Sequence, residues 1–154
     1  MPPKLYDLTT LQREANRFFG YTAQETLQEL QELYEDKLVT YPRTDSQYIT
    51  EDMEQSTMEL LEVLPEILPF LEGNMGYDVG RIINNDKVSD HHALLPTKES
   101  VKKGFSQLTE KQRNLYCMIG QRLAQAVSKE CTYEETQITV PVSYTHLTLP
   151  TILL

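Results

Sequence analysis

Apolar positions recur along most of this chain at helical spacing, with polar side chains between them. Leu11, Ala15, Phe18 and Phe19 form one such face, with Thr9 or Thr10 as the expected N-cap and Gly20 as the C-cap. Thr22 and Glu25 have capping-box spacing, and the helix they open carries Thr26, Leu27, Leu30, Leu33 and Tyr34 on one side, ending near Asp36. Thr50 is the next expected cap, followed by Met53, Thr57, Leu60, Leu61 and Leu64 on one face until Pro65 interrupts it. From Gly73 to Thr97 the periodicity lapses and glycines and asparagines mark a loop region. A second capping box, Thr109 to Gln112, opens the clearest helix, with Leu115, Met118, Ile119, Leu123 and Ala126 in line through about Lys129. Thr132 to Val140 alternates apolar and polar with β-branched residues and predicts one strand, for which the chain offers no strong partner. The pattern is that of a mainly α chain.

Charge narrows the function. The 154 residues carry a formal net charge of −9, which argues against a free-standing nucleic-acid binder. No Lys or Arg lies between Arg43 and Arg81, whereas Glu51, Asp52, Glu54, Glu59, Glu62, Glu66, Glu72 and Asp78 do. The acidic segment 51–78 could be a partner surface, which makes a non-catalytic helical protein-interaction module the alternative to an enzyme. No apolar run is long enough to span a membrane, and Met1 to Lys4 has no signal-peptide form. Cys117 and Cys131 lack zinc-site or paired spacing and read as reduced thiols, consistent with a cytoplasmic location.

Between the second and third helical patterns lies Leu38-Val39-Thr40-Tyr41-Pro42-Arg43-Thr44-Asp45-Ser46. It reads either as an ordinary helix-to-loop turn or as a tyrosine nucleophile held beside a guanidinium. A phenol is a weak nucleophile at neutral pH, and a neighbouring cation favours both the phenolate and the charge growing on a phosphoryl group. Arg43 can pair bidentately with phosphate oxygens, and Pro42 fixes its relation to Tyr41. Thr44, Asp45 and Ser46 can anchor the turn or meet a ligand. His91 and His92 read either as ordinary loop histidines or as groups that touch a phosphate or move a proton. They have no third partner at metal-ligand spacing, so no metal ligand is assigned to this chain. Tyr34 and Tyr116 read as core residues on helix faces, whereas Tyr48, Tyr77 and Tyr133 have no evident companion.

Four blocks together carry more than any one alone. Leu8-Thr9-Thr10-Leu11-Gln12-Arg13-Glu14-Ala15, Leu33-Tyr34-Glu35, Thr40 to Ser46, and Asp90-His91-His92-Ala93-Leu94-Leu95-Pro96-Thr97 resemble, in order, the type IA DNA topoisomerases, and most closely the bacterial topoisomerase III branch. The resemblance implies that Tyr41 attacks one DNA strand to form a 5′-phosphotyrosyl link. It implies that Arg43 contacts the scissile phosphate and that His91 lies near the cleaved strand, with His92 ranked lower. Gln12, Arg13, Thr44, Asp45 and Ser46 are further DNA-contact candidates. The implied fold is helical domain III over residues 1–98, a domain IV segment over 99–131, and a strand leading into domain II over 132–141. The family's magnesium site and arch belong to parts that do not match here, notably the N-terminal TOPRIM domain. Single-stranded DNA is therefore the implied partner of a longer parent, and magnesium the parent's cofactor. Residues 142–154, uncharged and without period, resemble translated sequencing-adapter DNA; they are expected to be a non-native tail, poorly packed or opportunistically docked, in which His146 carries no function.

Overall fold

Asp7, not Thr9 or Thr10, starts the first helix. Its backbone is extended and its carboxylate accepts from Thr10 N at 2.7 Å, placing a negative charge at the positive end of α1, Leu8–Phe19. Gly20 closes α1 in the left-handed region at φ 73°, its N–H on Asn16 O. The expected Thr22–Glu25 capping box is present in both directions and opens α2, Ala23–Glu35. The two helices form an antiparallel hairpin stitched by Gln12 Nε2 on Ala23 O and Asn16 Nδ2 on Tyr21 O.

The computed structural model describes residues 1–72 and 76–129 in full, and the backbone of 134–141 and 146–153. Helix α3, Glu54–Val63, follows a single 3-10 turn at Glu51–Met53; Thr50 precedes that turn but makes no side-chain cap. Two more 3-10 turns carry Leu64, Leu68 and Leu71 inward, each beginning with proline in its first positions. Helix α4 is short, Lys98–Lys103, and α5 runs from Glu110 to Val127 behind the expected Thr109–Gln112 capping box. Ser128, extended, terminates it, slightly earlier than the pattern predicted. No helix among the described residues is long and apolar enough to cross a membrane.

The core gathers the inner faces of α1, α2, α3 and α5 around Leu11, Leu30, Leu33, Leu61, Leu115 and Ile119. Tyr116 is fully buried, as its helix position predicted, and its hydroxyl meets Ser100 Oγ on α4 at 2.5 Å. Burial raises its pKa above the ordinary phenol value, opposed by the Ser100 hydrogen bond. Gly120 lets α5 lie against the Leu64–Leu68 segment: a Cβ there would fall 2.4 Å from Leu68 Cδ1. Three expectations for core positions fail. Phe18 and Phe19 are 61% and 43% exposed: α1 turns Leu11 and Ala15 into the core, and Phe19 stacks on Tyr21 of the connection to α2 instead. Tyr34 is 39% exposed, for a reason given below.

The strand β1, Glu134–Pro141, does have a partner. β2, His146–Leu153, pairs with it antiparallel from Glu134↔Leu153 to Pro141↔His146. Alternation alone did not reveal β2, since Leu-Thr-Leu-Pro lacks the β-branched enrichment that marked β1. Cys131, Thr132, Tyr133 and the side chains of the tail lie outside the described residues, and with them the expectation that the tail is poorly packed or opportunistically docked.

Candidate active site

Helix α2 ends in a way that aims the next residues. Leu38 N reaches back to Leu33 O and Lys37 N to Tyr34 O, and Lys37 sits in the left-handed region at φ 62°. This is a Schellman termination with lysine where glycine is usual. It turns the chain so that Leu38 and Val39 enter the core and Tyr41 emerges half-buried at the surface.

An extended ribbon then forms between distant stretches. Val39 pairs with Pro96 and Tyr6 with Leu94 in isolated antiparallel bridges. Thr40 N donates to Leu95 O at 2.9 Å, while Thr40 Oγ1 accepts from Leu95 N and donates to Ala93 O. Leu8 N, in the first turn of α1, donates to Thr44 O. Backbone groups that a loop would leave to water are thus paired inside the fold. The region read as loop consists, in its described part, of 3-10 turns at Val79–Ile82 and Asn85–Lys87 and of this ribbon.

The Tyr41 ring lies against the His91 ring, centroids 4.3 Å apart and planes inclined by 37°. Tyr34 approaches Tyr41 edge-on at 5.4 Å, so its exposed position on α2 flanks the candidate nucleophile. Pro42 is buried and its carbonyl accepts from Thr44 N at 2.9 Å, closing a tight turn with Arg43 at the apex. Arg43 projects into solvent and, among the described residues, pairs with no carboxylate. It borders a hollow of about 450 Å³ with Asp7, Thr9, Asp45, Asp90 and His91.

The other candidates divide by burial. Thr44 and Ser46 are 6% and 4% exposed and hold the turn. Thr44 Oγ1 donates to His91 O and accepts from Ser46 N, and Ser46 Oγ donates to Lys87 O at 2.8 Å and accepts from Tyr48 N. Asp45 points outward beside Arg43. His92 places Nδ1 2.8 Å from Ala93 O. Gln12 is engaged with Ala23, and Arg13 is exposed on α1; neither borders the hollow at Arg43. Among the described residues no three His, Cys, Asp or Glu side chains converge as metal ligands.

One cluster escaped the sequence reading. Arg122 of α5 reaches Glu14 of α1 at 2.5 Å and the Tyr6 hydroxyl at 2.9 Å, with its guanidinium 4.1 Å from the Tyr6 ring centroid. Tyr6 also donates to Glu14. Burial, then the Glu14 hydrogen bond, push the Tyr6 hydroxyl well above the ordinary phenol value. Burial works against the Glu14 carboxylate, but hydrogen bonds from Tyr6 and Arg122 outweigh it and hold its pKa below the ordinary 4.5. The available signal was Arg122 itself, the one charged residue between Arg113 and Lys129.

Residues 1–150 match the sequence profile of a family described as DNA topoisomerase.

The chain belongs to the DNA topoisomerases. Its relatives place it in the type IA class: it is 41% identical over 148 residues to DNA topoisomerase 3 of Bacillus subtilis, covering 88% of this chain and 19% of that protein. It is 44% identical over 129 residues to DNA topoisomerase 3 of Shouchella clausii, covering 79% of this chain and 17% of that one. The fold is similar to that in the structure of full-length topoisomerase I from Thermotoga maritima, with a TM-score of 0.68 at 23% identity over 98% of this chain and 25% of that chain. This topoisomerase chain therefore spans about a fifth of the length of the curated relatives it matches. The expectation of a mainly helical type IA topoisomerase fold is met.

Proposed function

We propose that this chain is the tyrosine-bearing part of an enzyme that cleaves and religates one DNA strand. The observation that carries the reading is the packing of Tyr41 on His91 beside an Arg43 that pairs with no carboxylate among the described residues, from blocks far apart in sequence.

Tyr41 Oη attacks the scissile phosphorus, forming a Tyr41–O–P bond to the 5′ side while the bond to the 3′ oxygen breaks. The tyrosine loses its proton and the departing 3′ oxygen gains one. Religation is the reverse transesterification, so the phosphodiester energy is kept in the protein–DNA link and no nucleotide is consumed. Arg43, free of a carboxylate partner among the described residues and set at the tip of a tight turn, pairs with the non-bridging phosphate oxygens. His91 lies against the nucleophile's ring and contacts the cleaved strand. Thr44 and Ser46 act from behind, as positioning residues that fix the turn.

The described residues do not form the magnesium site that the family resemblance implies, and no step above runs through it. The acidic site and strand groove of the parent lie in the larger remainder of such proteins, so this chain alone is inactive. Incubation with end-labelled single-stranded DNA and magnesium is expected to give no covalent product; a Tyr41-dependent adduct would overturn that. In the parent enzyme, Tyr41→Phe abolishes cleavage while strand binding persists. Unchanged cleavage would leave the helical interaction module as the better reading.

A further inference from the structure

Two cations that the candidate active site does not use flank the ring of Tyr48. Lys4 Nζ lies 5.6 Å from its centroid and Lys87 Nζ 5.1 Å, one from the N-terminal segment and one from the turn before the ribbon. Among the described residues neither ammonium forms an ion pair or a hydrogen bond. Two unpaired like charges held at one aromatic ring are unusual in a chain of net charge −9. The ring is half-buried beside a cavity of about 390 Å³, bordered by Lys4, Gln47, Tyr48, Arg81 and Ile82. Arg81 is already engaged, with Asp78 and with Ser128 O.

The same backbone that fixes Tyr41 fixes this cluster. Ser46 Oγ holds Lys87 O, and Ala93 N, two residues from His91, holds Tyr48 O at 2.9 Å. Tyr48 lies seven positions beyond Tyr41, at most about 25 Å along the chain. A stacked single strand covers that in about seven nucleotides. The hollow at Arg43 is bordered by Asp7, Asp45 and Asp90, which repel additional phosphates. Lys4 and Lys87, without ion pairs among the described residues, stand at Tyr48 on chain tied to this ribbon through Ser46 and Ala93.

We infer that Lys4, Tyr48 and Lys87 form a second single-strand contact, in which the lysines take one or two phosphates and the ring and adjoining cavity take a base. It rests on the reading of Tyr41 as the strand-cleaving nucleophile, and it names where the same strand is held away from the cut. Aromatic faces accept any base and lysines any phosphate, so the contact grips without reading sequence.

The test uses the 154-residue chain carrying Tyr41→Phe, so that no cleavage chemistry intervenes. A single-stranded oligonucleotide containing 5-iodouracil is irradiated with it in near-ultraviolet light, and the adduct is mapped by peptide mass spectrometry. The expected result is an adduct in the peptide holding Tyr48, falling as salt rises. Lys4→Gln with Lys87→Gln, both at the surface, should cut the yield at least about fivefold and flatten the logarithmic salt slope by about 0.7 to 1.4, one to two phosphates' worth on a single strand. Circular dichroism of that variant confirms the fold. An adduct only elsewhere, no adduct, or a yield indifferent to the two substitutions would each overturn the assignment. Failure of strand cleavage in the parent would leave the Tyr48 adduct unaffected, so the two readings fail separately.

Discussion

His91 supports the ring of Tyr41 from one side, centroids 4.3 Å apart, and Tyr34 meets the same ring edge-on from α2. The candidate nucleophile is therefore held by aromatic packing and by the ribbon beneath it, with its hydroxyl left free of protein partners among the described residues. Tyr41→Phe keeps the ring and removes only that hydroxyl. Stability by urea unfolding should change by less than about 0.5 kcal/mol, and the His91 ring resonances should stay in place. Tyr41→Ala, in contrast, should move them, since it removes the ring.

Thr40 is the fastener immediately before the nucleophile. Its hydroxyl accepts from Leu95 N at 2.9 Å and donates to Ala93 O at 3.3 Å, and both of those residues are buried. Thr40→Val preserves shape but strands a buried N–H. The expected cost is about 2 kcal/mol in urea unfolding, with faster amide exchange through 93–96. Serine at the same position should recover most of it.

Lys37 occupies a left-handed conformation that disfavours a side chain. Its backbone N–H closes the end of α2, so the conformation is required by the termination rather than by the lysine. Lys37→Gly should stabilise the chain by about 1 kcal/mol, seen as a higher Tm. A loss of stability would show that the lysine side chain contributes more than its backbone strain costs.

Glu14, Tyr6 and Arg122 tie α1 and the N-terminal segment to α5. The folded-state pKa of Glu14 is lowered, so its contribution is present above the ordinary 4.5 and is lost as pH falls through the lowered value. Stability measured by urea unfolding should therefore decline below about pH 4.5, and Glu14→Gln should flatten that part of the decline. At pH 7 the same variant should be less stable than wild type, because Arg122 loses its carboxylate.

Much of this molecule was legible before any fold was known. Both capping boxes, the faces of α2 and α5 and the burial of Tyr116 follow from local physics: a helix places every third or fourth residue together, and its first amides need acceptors nearby in sequence. The four motif blocks likewise identified the family without coordinates. What the sequence left open was set by contacts between stretches far apart along the chain. Asp7 displaced the threonines as a cap because its extended backbone let a full charge meet the helix end. Tyr34 and the phenylalanines of α1 were read inward from periodicity, yet burial depends on which neighbour covers a face, and periodicity does not name the neighbour. Thr44 and Ser46 read either as anchors of the turn or as ligand contacts; that their hydroxyls bond the backbone of 87–91 is visible only in the tertiary structure. Tyr41 was a tyrosine in a turn by sequence. Its place against His91, with Arg43 set apart at the apex, exists only because the ribbon closes, and no local rule encodes that closure.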